Sequence, residues 1–161
     1  FYLSQFHNPS NASVHEATTG PEIIDAFQHN GPDAFVAPVG TGATLTGVGR
    51  ALKTFNPNIE IYAVEPAENQ VLSDGPTGEH QIYGISPGFI PPNLDVSLYH
   101  GVVRVSSLDA AEMTIRLAKE EGLLLGISSG AAAVGAIEIA KRFGRGKKVV
   151  TIAADYGAPY L

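Results

Sequence analysis

The sequence predicts an α/β fold, with a mostly parallel sheet covered by helices on both faces. Three observations carry that expectation. Short apolar runs rich in β-branched residues alternate with segments whose apolar residues recur at helical spacing. Two junctions, residues 40–44 and 126–130, combine glycine with Thr or Ser where a strand would pass into a helix. Strands and helices of these lengths also suit right-handed crossovers, which leave successive strands parallel.

In chain order, residues 5–11 hold Asn8-Pro9-Ser10-Asn11 and read as turn chemistry. Thr18-Thr19-Gly20-Pro21-Glu22 reads as a helix start, with proline tolerated in the first turn and Glu22 near the positive dipole end. Ile23, Ile24 and Phe27 form its apolar face, and Asn30-Gly31-Pro32 stops it. Residues 33–39 form an apolar strand. A helix over 45–55 follows, with Leu45, Val48, Leu52 and Phe55 on one face, closed by Asn56-Pro57-Asn58. Residues 59–66 are the next strand, whose end at Glu65-Pro66 lies on the same edge as Gly40 if the sheet is parallel. Residues 69–99, rich in Gly and Pro, are a long ordered excursion or a mobile lid. Residues 102–105 resume as a strand. Ser106 or Ser107 caps a helix with Leu108, Ala111, Ile115 and Ala118 on one face, and Gly122 stops it. A short apolar piece, residues 123–125, leads into the second junction. The Ala-rich helix that follows, through Val134, Ile137 and Ala140, is apolar nearly all round and is expected to be buried; Gly144 ends it. Residues 148–153 are the last strand.

At 161 residues, 44% hydrophobic and 16% charged, the chain is one domain or most of one, with enough apolar material for a substantial core. Its net charge of −6 offers no electrostatic basis for a nucleic-acid or anionic-membrane partner, so any phosphate has to be held locally by backbone and hydroxyls. The absence of cysteine excludes disulfides, thiolate metal sites and a cysteine nucleophile. There is no apolar run of transmembrane length and no signal-peptide pattern, and a cytoplasmic location is the expectation. The chain opens at Phe1-Tyr2-Leu3 without an initiator Met and closes at Pro159-Tyr160-Leu161, and both ends are expected to be cut.

Residues 39–45, Val-Gly-Thr-Gly-Ala-Thr-Leu, look like an anion cradle. Glycines let backbone approach a ligand, threonines add hydroxyl donors, and a helix N-terminus supplies unpaired N–H groups and a positive dipole end. Either junction alone could be a tight turn with a good cap. Two at the carboxyl edge of one sheet make a site for a flat phosphorylated ligand the stronger reading. The common nucleotide motifs fail: Gly40-Thr41-Gly42 lacks the third glycine of the dinucleotide fingerprint, and Val48 stands where a Walker loop needs lysine after Gly47.

Several stretches, in order, match one family. They are Gln5-Phe6 with Asn8-Pro9-Ser10-Asn11, residues 18–23, residues 39–47, Val64-Glu65-Pro66, residues 84–91 and residues 122–131. Over essentially its whole length the chain resembles the C-terminal half of cysteine synthase (O-acetylserine sulfhydrylase), a fold-type II pyridoxal-phosphate enzyme. The resemblance implies the large PLP-binding α/β domain of that fold over residues 1–161. It implies pyridoxal 5'-phosphate as cofactor, its phosphate held by Gly40, Thr41, Gly42, Ala43 and Thr44 and its pyridine nitrogen bonded to Ser128. Gln5, Phe6 and Gly84 are implied to line the substrate pocket, with Phe6 alternatively a plain core aromatic. The implied reaction is β-replacement, in which O-acetylserine loses acetate and gains sulfide to give cysteine. A cystathionine β-synthase-type or O-phosphoserine-dependent enzyme, or a non-catalytic binding module, is the alternative. The implied partners are an O-acetylserine-like small molecule, a second copy in a homodimer, and the C-terminal tail of serine acetyltransferase docked in the cleft; no nucleic acid or membrane is implied. The chain departs from the family pattern at Ala43 and Ser86, where glycine is customary, and at Tyr83, where glutamine is.

The family's Schiff-base lysine belongs to the N-terminal half and has no counterpart here, so no catalytic residue is assigned and the chain alone is expected to be inactive. Lys53, Lys119, Lys141, Lys147 and Lys148 read as solvated charges. His7, His15, His29, His80 and His100 lack metal-ligand spacing and read as surface or loop residues, and no metal is expected. Asp155 and Tyr156 follow the last strand as pocket wall or as structural residues.

Overall fold

In the computed structural model, which describes residues 2–27 and 31–160, four strands form one fully parallel sheet. The strands are β1 (Ala34–Pro38), β2 (Glu60–Pro66), β3 (Gly101–Val105) and β4 (Val149–Thr151), in the order β3-β2-β1-β4. The helices are α1 (Ser10–Ala17), α2 (Thr19–Ala26), α3 (Ala43–Phe55), α4 (Ser107–Glu121) and α5 (Ile127–Phe143). Phe1, His29, Asn30 and Leu161 lie outside the described residues.

Strand side chains alternate between two cores, as the period of two requires. Phe35 and Ala37 of β1, with Ile61 and Ala63 of β2, pack beneath Leu45, Val48 and Leu52 of α3. Ala34 and Val36 of β1, with Val64 and Val103, face Ala131 and Ile139 of α5. α1 and α2 lie against α3, and α4 lies against α5, so helices cover both faces. Register pairs Pro38 with Val64, which sets Val39-Gly40 level with Glu65-Pro66 on the carboxyl edge. No described helix is long and apolar enough to cross a membrane.

Four expectations change. α1 begins at Ser10, inside the 5–11 stretch read as a turn, and runs through residues 12–17, for which no element was expected: it buries only Ala12 and seats its backbone on α3, so no apolar stripe announces it. On α4, Leu108 and Ile115 are 67% and 54% exposed, whereas Ala110 is buried. Small residues make the contact there: a Cβ on Gly130 would stand 2.2 Å from both the Ala110 carbonyl and Thr114 Oγ1, so the helices meet backbone to backbone. On α5, Ile137 is 41% exposed, so that helix is not buried all round. The piece before α5 is not a sheet strand; Leu125 makes a lone antiparallel bridge to Tyr156. Between the two candidate caps of α4, Ser106 is the cap, its hydroxyl accepting the Asp109 N–H at 3.0 Å.

The long excursion between β2 and β3 is pinned. Glu65, 1% exposed, accepts the Leu72 N–H at 2.7 Å and the Ser73 hydroxyl, and Glu68 accepts the Ser107 N–H at 2.8 Å. Ile82, Ile85 and Leu94 bury their side chains.

At the opposite edge, Asp33 ties β1 to β4, accepting from Lys147 Nζ at 2.9 Å and from the Lys148 N–H at 2.8 Å. The Lys147 bond, then the Lys148 N–H, hold this carboxyl below its ordinary range. A depressed folded value means the stabilisation is present above the unfolded pKa and lost as pH falls through the folded one. Asp33→Asn should therefore cost up to about 1 kcal/mol at neutral pH, with the difference from the parent closing below pH ~3.9. Urea midpoints at pH 7 and pH 2.5 read this directly.

Candidate functional site

The turn from β1 into α3 is built on two glycines that tolerate nothing larger. A Cβ on Gly40 would lie 2.4 Å from the Gly84 carbonyl oxygen. Gly42 has φ +81° and would set a Cβ 2.8 Å from Leu94 Cα. As N-cap of α3, Gly42 offers no side-chain acceptor to the first-turn N–H groups. Such groups are open at a helix start and suit an anion. α5 also begins on a glycine, Gly126, without a side-chain cap bond.

Both helix starts open on one cavity of about 200 Å³, lined by Gly40, Thr41, Gly42, Thr44, Gly84 and Ser128 among others. The two junctions therefore face each other across a single space. Among the described residues no Lys or Arg lines it, so an anion there would be met by N–H groups, hydroxyls and helix dipoles. A second hollow of about 420 Å³, lined by Gln5, Phe6 and Pro87, shares Gly40, Thr41, Gly84 and Ile85 with the first, so the two adjoin across one wall. Phe6 is half-buried and tilts against Phe89 at 5.4 Å, so it is a wall of this hollow rather than a core aromatic. Ala43 differs from its neighbours: its side chain is buried away from the cavity, and its N–H donates to Thr41 Oγ1 at 3.4 Å.

The neighbouring serines divide their tasks. Ser128 lines the cavity, while buried Ser129 accepts the Ala154 N–H at 3.2 Å. Asp155 and Tyr156 take the structural option. The Asp155 carbonyl accepts the Gly126 N–H at 3.3 Å, Gly157 donates to the Leu124 carbonyl at 2.9 Å, and Tyr156 is 66% exposed. This stitching ties the chain after β4 to the start of α5.

The sequence predicts His15 on the surface or in a loop, yet it stands behind the cradle. Its Nε2 lies 3.2 Å from Thr44 Oγ1 and its Nδ1 3.0 Å from Thr19 Oγ1. Asn11, one turn earlier, places Nδ2 3.4 Å from Thr41 Oγ1. Two polar residues four apart, otherwise out of place on a short helix, were the available signal. The other described histidines serve loops, for example His100 accepting the Ile61 N–H at 3.0 Å. Among the described residues no His, Asp or Glu cluster could hold a metal.

Ser86 adopts φ +49°, a conformation that costs an L-residue. Asn69 holds it there: the Ser86 hydroxyl accepts from Asn69 Nδ2 at 3.1 Å and donates to the Asn69 carbonyl at 3.3 Å. Ser86→Ala keeps the backbone cost and removes those bonds, so a loss of about 1 kcal/mol is expected in chemical denaturation. Tyr83 projects outward, 66% exposed.

The sequence signature of the family described as "Pyridoxal-phosphate dependent enzyme" matches residues 1–155. A cysteine synthase of Staphylococcus aureus (strain Mu50 / ATCC 700699) is 51% identical over 161 residues, which are 100% of this chain and 52% of that protein. The crystal structure of O-ureido-L-serine synthase superposes with a TM-score of 0.95 at 38% identity, covering 100% of this chain and 51% of that one. An O-acetylserine dependent cystathionine beta-synthase from Helicobacter pylori gives 0.91 at 40% identity, over 99% of this chain and 51% of its own. The chain thus spans about half the length of the relatives it matches.

Proposed function

The chain belongs to the pyridoxal-phosphate dependent enzyme family, and on that premise we propose that it is the cofactor-holding C-terminal portion of a cysteine synthase. The intact enzyme converts O-acetylserine and sulfide into cysteine and acetate. The observation that carries this is the single cavity lined by Thr41, Thr44 and Ser128, which adjoins the hollow at Gln5, Phe6 and Gly84. The residues present fit the cofactor. Gly40 and Gly42 let the turn pack tightly against Gly84 and Leu94, and the start of α3 adds N–H groups and the Thr41 and Thr44 hydroxyls for a phosphate.

When bound, pyridoxal phosphate supplies an electron sink for β-elimination and β-addition. Ser128 offers the pyridine nitrogen a neutral hydroxyl, which hydrogen-bonds without holding a proton there as a carboxylate would. That leaves a moderate sink, suited to losing acetate. Gln5, Phe6 and Gly84 are assigned to the amino-acid substrate, with Phe6 excluding water from one wall. The reading extends to a cytoplasmic homodimer whose cleft accepts the serine acetyltransferase tail, a partner carried by the resemblance alone.

Purified intact enzyme supplied with O-acetyl-L-serine and sulfide should form cysteine, and faster than it forms cystathionine when homocysteine replaces sulfide. The present chain alone should form neither and should not convert the cofactor's own absorption into that of a lysine-bound form. A homocysteine rate above the sulfide rate overturns the substrate assignment.

A further inference from the structure

Gly84 and Ile85, in the bend formed by residues 82–86, belong to the wall that the two hollows share. Ile82 and Ile85 are buried, while Tyr83 and Gly84 between them are exposed. Two positions in the bend are left-handed, Gly84 at φ +88° and Ser86 at φ +49°, and only the second carries a Cβ. Such a conformation persists only where its surroundings impose it. The Ser86 N–H donates to the Val39 carbonyl at 2.8 Å. The Ser86 carbonyl has two donors before it, Asn69 Nδ2 and His80 Nε2, each 3.3 Å away. Asn69 divides its amide between that carbonyl and the Ser86 hydroxyl, the latter at 3.1 Å. At the other end of the bend, His80 Nδ1 stands 3.2 Å from the Ile82 nitrogen. These partners fix the tautomer of the ring. A backbone N–H only donates and a carbonyl only accepts, so Nδ1 is bare and Nε2 carries the hydrogen. One half-buried imidazole therefore clips both ends of the bend.

We propose that His80 is a positioning residue for the amino-acid substrate: by bridging Ile82 and Ser86 it holds the Gly84 backbone in place as a wall of the hollow at Gln5 and Phe6. The inference rests on that hollow being the amino-acid subsite. Gly84 has no side chain with which to fix itself, and His80 lines neither hollow, so the bend is set from behind. The fit is close, since the Gly84 carbonyl oxygen stands 2.4 Å from where a Cβ on Gly40 would be. Without the Nε2–H bond Ser86 relaxes toward negative φ, and the peptides at Gly84 and Ile85 turn with it. Thr41, Thr44 and Ser128 are held by other elements and stay where they are. The loss therefore falls on substrate binding and leaves the chemical step intact, which raises KM and spares kcat.

Steady-state kinetics of the intact enzyme, with O-acetyl-L-serine varied at fixed sulfide and thermal midpoints taken alongside, test this. His80→Phe keeps a ring and loses both bonds; KM should rise about tenfold with kcat within about twofold of the parent. His80→Gln, whose amide nitrogen can take the Nε2 position, should recover most of the KM. His80→Asn separates the turn from the grip on Ser86. Its oxygen can accept the Ile82 N–H as Asn8 and Asn56 accept from Ser10 and Asn58, each at 3.0 Å, but it is too short to reach the Ser86 carbonyl. That variant should regain the parent's thermal midpoint and keep the raised KM. A KM that returns together with the midpoint in His80→Asn makes His80 a plain turn residue and overturns the proposal. An unchanged KM in His80→Phe, a fall in kcat alone, or a KM that His80→Gln does not restore overturns it too. Should His80→Phe not fold, the other two variants decide: KM about tenfold higher in His80→Asn than in His80→Gln is expected, and equal values overturn the role. Gln5→Ala reports on the subsite itself. No change of KM there overturns the hollow as the substrate's, an outcome distinct from a raised KM in Gln5→Ala with none in His80→Phe.

Discussion

Alanine at Gly42 is expected to abolish cofactor binding and to lower the thermal midpoint by roughly 10 °C. Two costs add. A left-handed conformation at φ +81° costs a residue with a Cβ about 1–2 kcal/mol. The new methyl also stands 2.8 Å from Leu94 Cα and 2.9 Å from its N, backbone atoms that no rotamer change can move, and overpacking of this kind adds about 1–3 kcal/mol. Relief requires the 91–95 turn to retreat from the start of α3, carrying Asn93 and Asp95 away from the Thr46 hydroxyl, which bonds both. The first turn of α3 then no longer presents its N–H groups to the cavity. Calorimetry would show the stability loss and fluorescence titration with pyridoxal 5'-phosphate the binding loss; a variant that binds normally would remove the cradle from the site.

Alanine at Gly47 sets two effects of opposite sign against each other. In a helix interior the change should stabilise by about 1 kcal/mol through propensity alone. The added methyl, however, would sit 2.1 Å from the Ala12 carbonyl oxygen and 2.8 Å from the Glu16 nitrogen, where real side chains are never found. Separating α1 from α3 costs about 1–3 kcal/mol. The clash outweighs the propensity: a net loss of up to roughly 2 kcal/mol is expected in urea denaturation, with weaker phosphate binding as His15 and Asn11 withdraw. A stabilised variant would mean that α1 is free to shift, and with it the support behind the threonines.

The parts of the fold that could be read from residues are those in which local pattern and packing agree. β1, β2 and α3 follow from β-branched runs and from Leu45, Val48 and Leu52 at helical spacing, all fully buried. α1 escaped because its adhesion is backbone against backbone at Gly47, which leaves no apolar periodicity. The buried side of α4 was misread for the same reason: Ala110 fits against Gly130 while the larger Leu108 and Ile115 face outward. At the site, residues 40–44 announce themselves by chemistry and position. That Ser128 rather than Ser129 faces them is a matter of one helical step, legible only by resemblance. His15 is hard to place from sequence because Thr44, the partner that sets it behind the cradle, stands 29 residues away.

The walls of the cavity come from residues 37–44, 84–85, 128 and 152–154, so its rim closes only when the last strand has docked. With that strand undocked the rim stays open, so capture of a ligand in the cavity reports that β4 has paired with β1. From then on, ligand in hundredfold excess over its dissociation constant adds about 2.7 kcal/mol against reopening.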